Sequence, residues 1–206
     1  MTDAMHPRRR TLIALLAAAG LAGCDQLGLP GFAKPAFNGV DITGAEYGRE
    51  FALPDADGRT RTLADFKGRV VVVFFGYTQC PDVCPTTMAE LARVKKALGT
   101  DGQRVQGVFV TVDPERDTPE VLKAYLAAFD AGFIALRGSA EQTAAAAREF
   151  KVFYAKAPGK ANGSYTVDHT AGSYVFDAKG QLRLFERYAT PADALAADLR
   201  QVLKEG

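Results

Sequence analysis

Continuous apolar runs alternate along this chain with segments in which apolar residues recur every three or four positions. Residues 70–77 (VVVVFFGY) and 105–112 are runs of the kind that is typical of strands buried on both faces of a sheet. Residues 133–136 and 152–155 predict two shorter strands. Turn signals between strand-like segments predict two hairpins, one over 49–63 around Asp55-Ala56-Asp57-Gly58 and one over 173–186 around Asp177-Ala178-Lys179-Gly180.

Four helices are predicted between and after these strands. Residues 86–98 show helical spacing of apolar side chains, Thr118 and Ser139 are typical helix N-caps, and the last helix begins near Pro191. Strands that alternate with helices indicate an α/β sheet, partly parallel, that ends in an antiparallel hairpin. A central strand that leads to a cysteine pair at a helix start resembles the thioredoxin fold, with an extra N-terminal hairpin and inserted elements.

The composition is that of one ordinary globular domain. The chain has 206 residues, of which 48% are hydrophobic and 24% charged, and its formal net charge is +1. This balance argues against a disordered chain and against a nucleic-acid-binding protein, which usually has a clear basic excess. Three cysteines and two histidines are too few for a disulfide scaffold or an all-cysteine zinc site.

The N-terminal 23 residues are predicted to be a targeting segment. Three arginines at 8–10 precede an apolar run over 12–22, which is too short to span a bilayer and typical of a secretory signal. The following LAGC sequence at 21–24 resembles a bacterial lipobox, which implies cleavage before Cys24 and its acylation as a lipid anchor. A plain signal peptide with an incidental cysteine is the alternative, and the arginines fit either the general or the twin-arginine export route.

The segment after the predicted cleavage site is interpreted as a membrane tether. Residues 24–47 contain glycine, proline and scattered apolar residues without a period, so we expect the folded domain to span 48–206. Asp25 resembles the signal that retains lipoproteins in the inner membrane of some Gram-negative bacteria, which implies a location at the periplasmic face of that membrane. Cleavage also removes one of the two histidines, His6.

The cysteine pair follows the central strand directly. Cys80 and Cys84 are four positions apart, a spacing that brings two thiols to one face of a helical turn. At a helix N-terminus the free amides and the macrodipole favour anions, so the pKa of at least one thiol should fall. The pair suits two ligands of one metal or a redox-active pair, and a structural disulfide is the alternative interpretation.

The remaining histidine completes a candidate ligand set. Two thiolates suit Cu(I), and an added imidazole accommodates Cu(II), whereas structural zinc sites need four ligands in two clustered pairs. His169 precedes the strand predicted over 173–176, in a loop that lies beside the cysteine-bearing helix in a thioredoxin-like sheet. An ordinary surface or core histidine is the alternative interpretation.

Three separated blocks resemble the Sco/SenC family of membrane-tethered copper proteins, which assist assembly of the binuclear copper centre of cytochrome c oxidase. They are GYTQCPDVCP at 76–85, VDPERDTP at 112–119 and VDHT at 167–170. The resemblance implies that Cys80, Cys84 and His169 bind copper, as Cu(I) or Cu(II). It also implies the copper-bearing oxidase subunit as a partner, together with another copper chaperone or a thiol reductase. Gln79 stands where several family members have another residue, often His, and we expect little consequence for binding.

Four aspartates accompany these blocks. Asp82, Asp113, Asp117 and Asp168 could form an acidic rim that docks a partner or tunes the copper. The alternative is that Asp113 and Asp117 cap helix amides, with Arg116 paired to one of them.

Two functions follow from these residues. The first is a metallochaperone that carries copper on Cys80, Cys84 and His169 and passes it on by ligand exchange. The second is a thiol–disulfide oxidoreductase that uses Cys80 and Cys84 as its redox pair and keeps the cysteines of an oxidase subunit reduced. The three residues between Cys80 and Cys84 count against this second function, because most such enzymes have two residues between their cysteines. A peroxiredoxin-like peroxidase is excluded, because neither cysteine lies in a Pro-x3-Thr-x2-Cys motif.

Overall fold

The structure is a computed structural model that describes residues 37–160 and 162–206. The predicted signal peptide and the lipid anchor at Cys24 lie outside these residues. Within the described ranges, no helix has the length and apolarity that are needed to cross a membrane.

In the described residues, ten strands form three sheets. The main sheet has six strands in the order β1-β10-β9-β4-β5-β6, and two small sheets consist of β2 with β3 and of β7 with β8. In chain order the strands are β1 Val40–Asp41, β2 Leu53–Pro54, β3 Thr60–Arg61, β4 Val70–Gly76, β5 Val105–Thr111, β6 Ile134–Leu136, β7 Tyr154–Pro158, β8 Tyr165–His169, β9 Gly172–Phe176 and β10 Leu182–Arg187.

The centre of the main sheet is parallel and fully buried. Strands β4, β5 and β6 run parallel, whereas β9, β10 and β1 add antiparallel strands on the other side of β4. Every residue of β4 and β5 is buried, which explains why β4 is apolar throughout and why β5 has only Gln106 and Thr111 as polar residues, because helices or loops cover both faces. The predicted α/β, thioredoxin-like fold with a closing hairpin and an N-terminal hairpin is confirmed.

Four helices pack on this sheet, and they begin close to the predicted residues. They are α1 Val83–Ala97, α2 Pro119–Ala127, α3 Ala140–Glu149 and α4 Ala192–Glu205. Thr118 caps α2 by accepting a hydrogen bond from the amide of Val121, and Ser139 caps α3 in the same way from Gln142. Helix α1 begins three residues before the predicted residue 86, which brings Cys84 into its first turn.

The two faces of β4 have different neighbours because successive side chains of a strand point to opposite sides. Phe75 packs against Phe150, at the end of α3, with 5.1 Å between the ring centroids. On the other face, Phe74 contacts Phe109, and the α-carbon of Gly76 lies against the sulfur of Cys84. The face that carries Gly76 is therefore the face on which the cysteines lie.

Part of the predicted tether belongs to the domain. Phe37 is buried, and β1 pairs with β10 at the edge of the main sheet. The buried carboxylate of Asp198, in α4, accepts hydrogen bonds from the amides of Asn38 at 2.9 Å and Gly39 at 2.7 Å. A two-residue strand has no readable period, and its partners lie about 140 to 160 positions away, so the sequence pattern did not identify it.

The histidine segment also differs from the expectation of a loop. His169 is the last residue of β8, which pairs with β7 as an antiparallel ribbon outside the main sheet. We call β7 and β8 the His169 ribbon. The strand predicted over 152–155 corresponds to β7, which begins two residues later, at Tyr154.

Candidate metal centre

Cys80, Cys84 and His169 lie together at the carboxyl end of β4. One ligand atom from each, the two Sγ atoms and a ring nitrogen, all lie within 4.8 Å of one another. Both thiols are free. The structure thus brings together the three residues that the sequence analysis selected, although His169 is 85 positions beyond Cys84.

Cys84 forms the buried floor of this cluster. It lies in the first turn of α1 and is 0% exposed. A β-carbon at Gly76 would lie 2.8 Å from the Cys84 Sγ, closer than side-chain atoms approach one another. Glycine at position 76 is therefore required for this sulfur to pack against the end of β4.

Cys80 lies just before α1, in the segment 77–82 that we call the cysteine loop. It is half-buried, and its Sγ accepts a hydrogen bond from the amide of Cys84 at 3.5 Å. The pKa of Cys80 falls to about 3, chiefly because the Cys84 thiol donates a hydrogen bond to it, with smaller contributions from His169 and from the amides of Asp82 and Cys84 that outweigh the opposing effect of burial. The same hydrogen bond and burial raise the pKa of Cys84.

The two thiols therefore hold one proton between them at neutral pH, with the thiolate on Cys80. The prediction that one thiol pKa falls is confirmed. The largest cause is the neighbouring thiol, however, and the helix amides contribute less than the sequence argument assumed.

His169 directs its Nε2 atom at the sulfurs. Its Nδ1 lies 3.1 Å from the carbonyl oxygen of Thr170, and because a carbonyl can only accept, Nδ1 carries a proton. The Nε2 atom lies 3.3 Å from the Cys84 Sγ. The edges of Phe74 and Tyr77 hold the ring, with centroids 5.8 and 6.0 Å away. A histidine that donates its other nitrogen to a carbonyl is the arrangement found at most metal-bound imidazoles.

A surface pocket of about 350 Å³ opens onto this cluster. Cys80 and His169 line the pocket, whereas Cys84 lies beneath it. A metal or a partner's ligand that enters the pocket therefore meets Cys80 and His169 first. The other lining residues are Tyr77, Pro81, Asp82, Val83, Thr166, Val167, Asp168 and Ala171.

Only two of the four predicted rim aspartates lie at the surface. Asp82 and Asp168 are exposed and line the pocket, but Asp113 and Asp117 are 1% and 0% exposed. They follow a fully buried strand, and the chain turns inward there, so an acidic rim of four residues is wrong. Helix capping is also wrong for Asp117, because Thr118 is the N-cap of α2.

Asp117 instead ties the cysteine loop to the main sheet. Its carboxylate accepts hydrogen bonds at 2.6 Å from the hydroxyls of Thr78 and Thr111, and at 3.2 Å from the Thr78 amide. Burial raises the pKa of this carboxyl, and the hydrogen bonds oppose that shift. Thr78 is two residues before Cys80, so these hydrogen bonds fix the cysteine loop to the end of β5.

Arg116 and Gln79 are the residues whose part in the site the sequence analysis missed. Arg116 pairs with Asp113, as one alternative expected, but it also donates to the Gln79 side chain and to the Tyr165 carbonyl. The only available signal was the arginine between two aspartates directly after a buried strand, which does not identify long-range partners.

A family model described as SCO1/SenC matches residues 40–204, most of the chain. The chain belongs to the SCO1/SenC family.

Curated relatives include the SCO2-like protein of Rickettsia felis, 35% identical over 79% of this chain and 81% of the relative. The mitochondrial SCO2 homologue of Bos taurus is 36% identical over 74% of this chain, and the match spans 58% of that longer protein. Family membership is thus shown for the domain, and the additional length of the bovine protein has no counterpart in the match.

Solved SCO1/SenC structures have the same fold. Bradyrhizobium japonicum ScoI with copper bound is 39% identical, with a TM-score of 0.67 over 74% of this chain and 97% of that one. Apo Sco1 of Thermus thermophilus is 41% identical, with a TM-score of 0.72 over 81% and 96% of the two chains. A Bacillus anthracis structure described as a SCO1/SenC family lipoprotein is 28% identical, with a TM-score of 0.63 over 74% and 92%.

Proposed function

We propose that this protein is a copper metallochaperone. It binds one copper ion, its cargo, through Cys80, Cys84 and His169 and passes the metal to the copper-bearing subunit of cytochrome c oxidase. The observation that carries the proposal is the approach of the two sulfurs and a ring nitrogen to within 4.8 Å, with the Nε2 atom 3.3 Å from the Cys84 Sγ. Family membership and the copper-bound ScoI of Bradyrhizobium japonicum support copper as the metal.

The donor atoms suit both oxidation states of copper. Two thiolate sulfurs are soft ligands that favour Cu(I), and an imidazole nitrogen adds the kind of donor that Cu(II) prefers. Cys80 and Cys84 are the only cysteines in the described part of the chain, and His169 is its only histidine. A third sulfur or a second imidazole of the kind that structural zinc sites use is therefore absent from residues 37–160 and 162–206.

Delivery requires that copper leave as well as bind. Three ligands leave a coordination position open, and the pocket exposes Cys80 and His169 to an incoming ligand. We infer that a thiol or imidazole of the acceptor enters through the pocket and that Cys84, the buried ligand, is the last to release the metal. This order of ligand exchange avoids free copper ions in solution.

Copper stoichiometry of the reduced, purified full-length protein tests the proposal. We expect one copper per chain, no binding by Cys80→Ser or Cys84→Ser, and a sharp loss of affinity in His169→Ala. Cys24→Ser is the matched control, because it removes a cysteine but leaves the candidate ligands intact, and it should bind copper normally. If His169→Ala bound copper as tightly as wild type, the three-ligand site would be wrong.

A thiol–disulfide oxidoreductase is the second candidate function. The observation that favours it is the thiolate of Cys80 at the pocket with the buried Cys84 thiol beside it. Cys80 would attack a substrate disulfide to form a mixed disulfide, and Cys84 would then displace the substrate thiolate. The substrate disulfide is thereby reduced by two electrons to two thiols. A Cys80–Cys84 disulfide remains, which a thiol reductase partner reduces.

The exchange rate with a model disulfide separates the two functions. Reductase activity requires both cysteines but not His169, so His169→Ala should exchange as fast as wild type if this is the function. A reduction potential of the Cys80–Cys84 pair too high to reduce a disulfide of the oxidase subunit would exclude the reductase function.

We also propose that acylated Cys24 anchors the protein at the periplasmic face of the inner membrane. Support comes from the lipobox resemblance at 21–24 and from the lipoprotein description of the Bacillus anthracis homologue. Mass spectrometry of the mature N-terminus should find a diacyl- or triacyl-modified Cys24, and Cys24→Ala should move the protein from the membrane to the periplasmic fraction. A mature N-terminus at a residue other than Cys24, without acylation, would contradict the lipid anchor.

A further inference from the structure

We propose that Arg116 is a positioning residue that joins the His169 ribbon to the cysteine loop and thereby sets the distance from His169 to the two sulfurs. The inference rests on the copper-binding function proposed above and adds to it a residue outside the ligand set. Contacts of one guanidinium group with four residues carry it: Asp113, Tyr165 in the His169 ribbon, and Tyr77 and Gln79 in the cysteine loop.

The ladder of main-chain hydrogen bonds in the His169 ribbon does not extend to the main sheet, and the bonds that join the ribbon or its end to other elements are single ones, such as those from the Tyr188 amide to the Ala171 carbonyl and between the Val167 main chain and Tyr77. In the described part of the chain β7 and β8 pair only with each other, whereas Cys84 is fixed by α1 and by the end of β4. At its base the ribbon is closed by two hydrogen bonds between Phe153 and Thr170, which hold the ribbon together but do not join it to the main sheet. Its orientation therefore also depends on side chains.

Arg116 holds the ribbon at the beginning of β8. Its Nη1 donates a hydrogen bond to the Tyr165 carbonyl at 2.9 Å, and its guanidinium carbon lies 3.6 Å from the centroid of the Tyr165 ring. The Tyr165 hydroxyl in turn donates to Asp113 at 2.9 Å. Because Asp113 also accepts from Arg116 Nε, the arginine, the tyrosine and the aspartate form a closed triangle.

The same guanidinium group reaches the cysteine loop. Nη1 also donates to the Gln79 side-chain oxygen at 3.1 Å, one residue before Cys80. The guanidinium carbon lies 5.6 Å from the Tyr77 ring, whose edge contacts the His169 imidazole. A planar group with several donors can serve both sides at once, which the single ammonium of a lysine cannot do with the same geometry.

The arrangement does not have the features of a purely stabilising interaction. Arg116 is only 20% exposed, its partner Asp113 is 1% exposed, and the Arg116 Nη2 atom is buried without a hydrogen-bond partner. A buried donor that lacks a partner lowers stability, and local rules of this kind are most often broken at functional sites. A role in site geometry accounts for the retention of a charged group here.

The chemistry of copper predicts a selective effect. Cu(I) bound by two thiolates depends mainly on Cys80 and Cys84, whereas Cu(II) needs the imidazole nitrogen. Loss of Arg116 should therefore weaken Cu(II) binding, by about tenfold or more if it behaves as other supporting residues of metal ligands do. Cu(I) affinity should change much less.

The test compares Arg116→Gln and Arg116→Lys with wild type in the full-length protein. In the metal-free protein, we expect both variants to lose the nuclear Overhauser contacts between the His169 ring and the rings of Phe74 and Tyr77. With copper we expect a lower Cu(II) affinity and an altered Cu(II) electron paramagnetic resonance spectrum, with Cu(I) affinity nearly unchanged. Arg116→Lys keeps the charge, so failure to rescue the spectrum would assign the role to the planar donor geometry.

Arg137→Gln is the matched control. Arg137 also binds the segment after β5, by donating to the Pro114 carbonyl at 2.9 and 3.2 Å, but among the described residues its side chain does not bond to Gln79 or Tyr165. We expect its His169 contacts and Cu(II) spectrum to match wild type. An equal change in Arg137→Gln would show a general loosening of the segment and would overturn the inference.

Other outcomes separate this inference from the proposed function. If wild type bound no copper, the proposed function would fail, and the ring contacts in the metal-free variants would still decide the role of Arg116. Unchanged contacts in a folded Arg116→Gln overturn it. If both Arg116 variants fail to fold, Tyr165→Phe is the substitute, because it removes only the hydroxyl bond to Asp113. It should shift the His169 ring signals away from their wild-type positions, and unchanged signals overturn the inference.

Discussion

The two halves of the metal centre are held by different kinds of interaction. Cys84 lies on a helix that follows a fully buried strand, so the main chain and the core determine its position. His169 lies on a two-stranded ribbon that is outside the main sheet and is oriented by side chains of distant residues. We therefore expect the position of Cys84 to respond to substitutions in the core and the position of His169 to respond to substitutions that remove polar side-chain contacts.

The largest effect that we expect concerns pH and the main sheet. Burial, together with the neighbouring carboxylate of Asp198, raises the pKa of Glu186 to about 7. The folded state thus keeps a proton that the unfolded state releases above its ordinary pKa of 4.5. This stabilisation is complete below pH 4.5 and is lost as the pH rises through 7, a change on the order of 3 kcal/mol in the free energy of unfolding.

Urea unfolding across this pH range measures the effect. Glu186→Gln should remove most of the slope, whereas wild-type stability should fall as pH rises. An identical slope in Glu186→Gln would assign the pH dependence to another group.

A β-carbon at position 76 tests the cysteine side. In Gly76→Ala the new methyl group would lie 2.7 Å from a Phe74 ring atom and 2.8 Å from the Cys84 Sγ, so α1 or the sulfur must shift. We expect a loss of about 2 kcal/mol in the free energy of unfolding together with weaker binding of both Cu(I) and Cu(II). Calorimetry and copper titration measure the two effects.

Gly58→Ala provides the matched control for this change. A β-carbon there meets no atom within 4 Å, and only the positive φ of +80° is unfavourable. Its stability should fall by about 1 kcal/mol with no change in copper binding. Normal copper affinity in a folded Gly76→Ala would contradict the close packing of the sulfur.

Replacing a buried valine by alanine should lower the free energy of unfolding more in the main sheet than in the His169 ribbon. Val73→Ala, at a 0% exposed position of β4, should lower global stability by about 2 kcal/mol. Val167→Ala, at a 4% exposed position of β8, should lower it by about 1 kcal/mol or less but should weaken the contact between His169 and the sulfurs. Hydrogen exchange of the ribbon amides and the Cu(II) spectrum are the measurements. Equal global losses would show that the ribbon unfolds with the main sheet.

The smallest effect should come from the exposed side chain of Phe153 at the base of the ribbon. Phe153 is 64% exposed, and only its main chain bonds to Thr170. Phe153→Ala should therefore change the free energy of unfolding by less than about 0.5 kcal/mol and leave the copper-free His169 contacts intact. A loss above 1 kcal/mol would mean that the ribbon depends on apolar packing there, against the view that polar contacts hold it.

Much of this architecture was predictable from local patterns. The apolar runs of β4 and β5, the caps at Thr118 and Ser139 and the start of the last helix follow from residues that are close in sequence. The cysteine pair could also be located at a helix N-terminus, because the strand before it and the helix after it are contiguous with it. In each of these cases the physical cause and the pattern that reveals it lie within a few residues.

The features that the sequence did not predict depend on partners that are distant in sequence. Asp113 and Asp117 resemble surface carboxylates in the sequence, but hydroxyl and guanidinium partners make their burial favourable. Gln79 accepts a hydrogen bond from an arginine 37 positions away, a contact that no local pattern indicates. Residues 37–41 have no strand pattern, and their partners lie near the end of the chain.

The sequence by itself therefore determined the strands and helices, the chemistry of the available ligands and the position of both cysteines at the start of α1. Only the tertiary structure decided that the Nε2 atom of His169 lies 3.3 Å from the Cys84 sulfur. It also decided which aspartates are buried and which arginine reaches both sides of the site. The reason is physical: local propensity and periodicity act over a few residues, whereas a ligand 85 positions away is positioned by packing and hydrogen bonds that exist only in the folded chain.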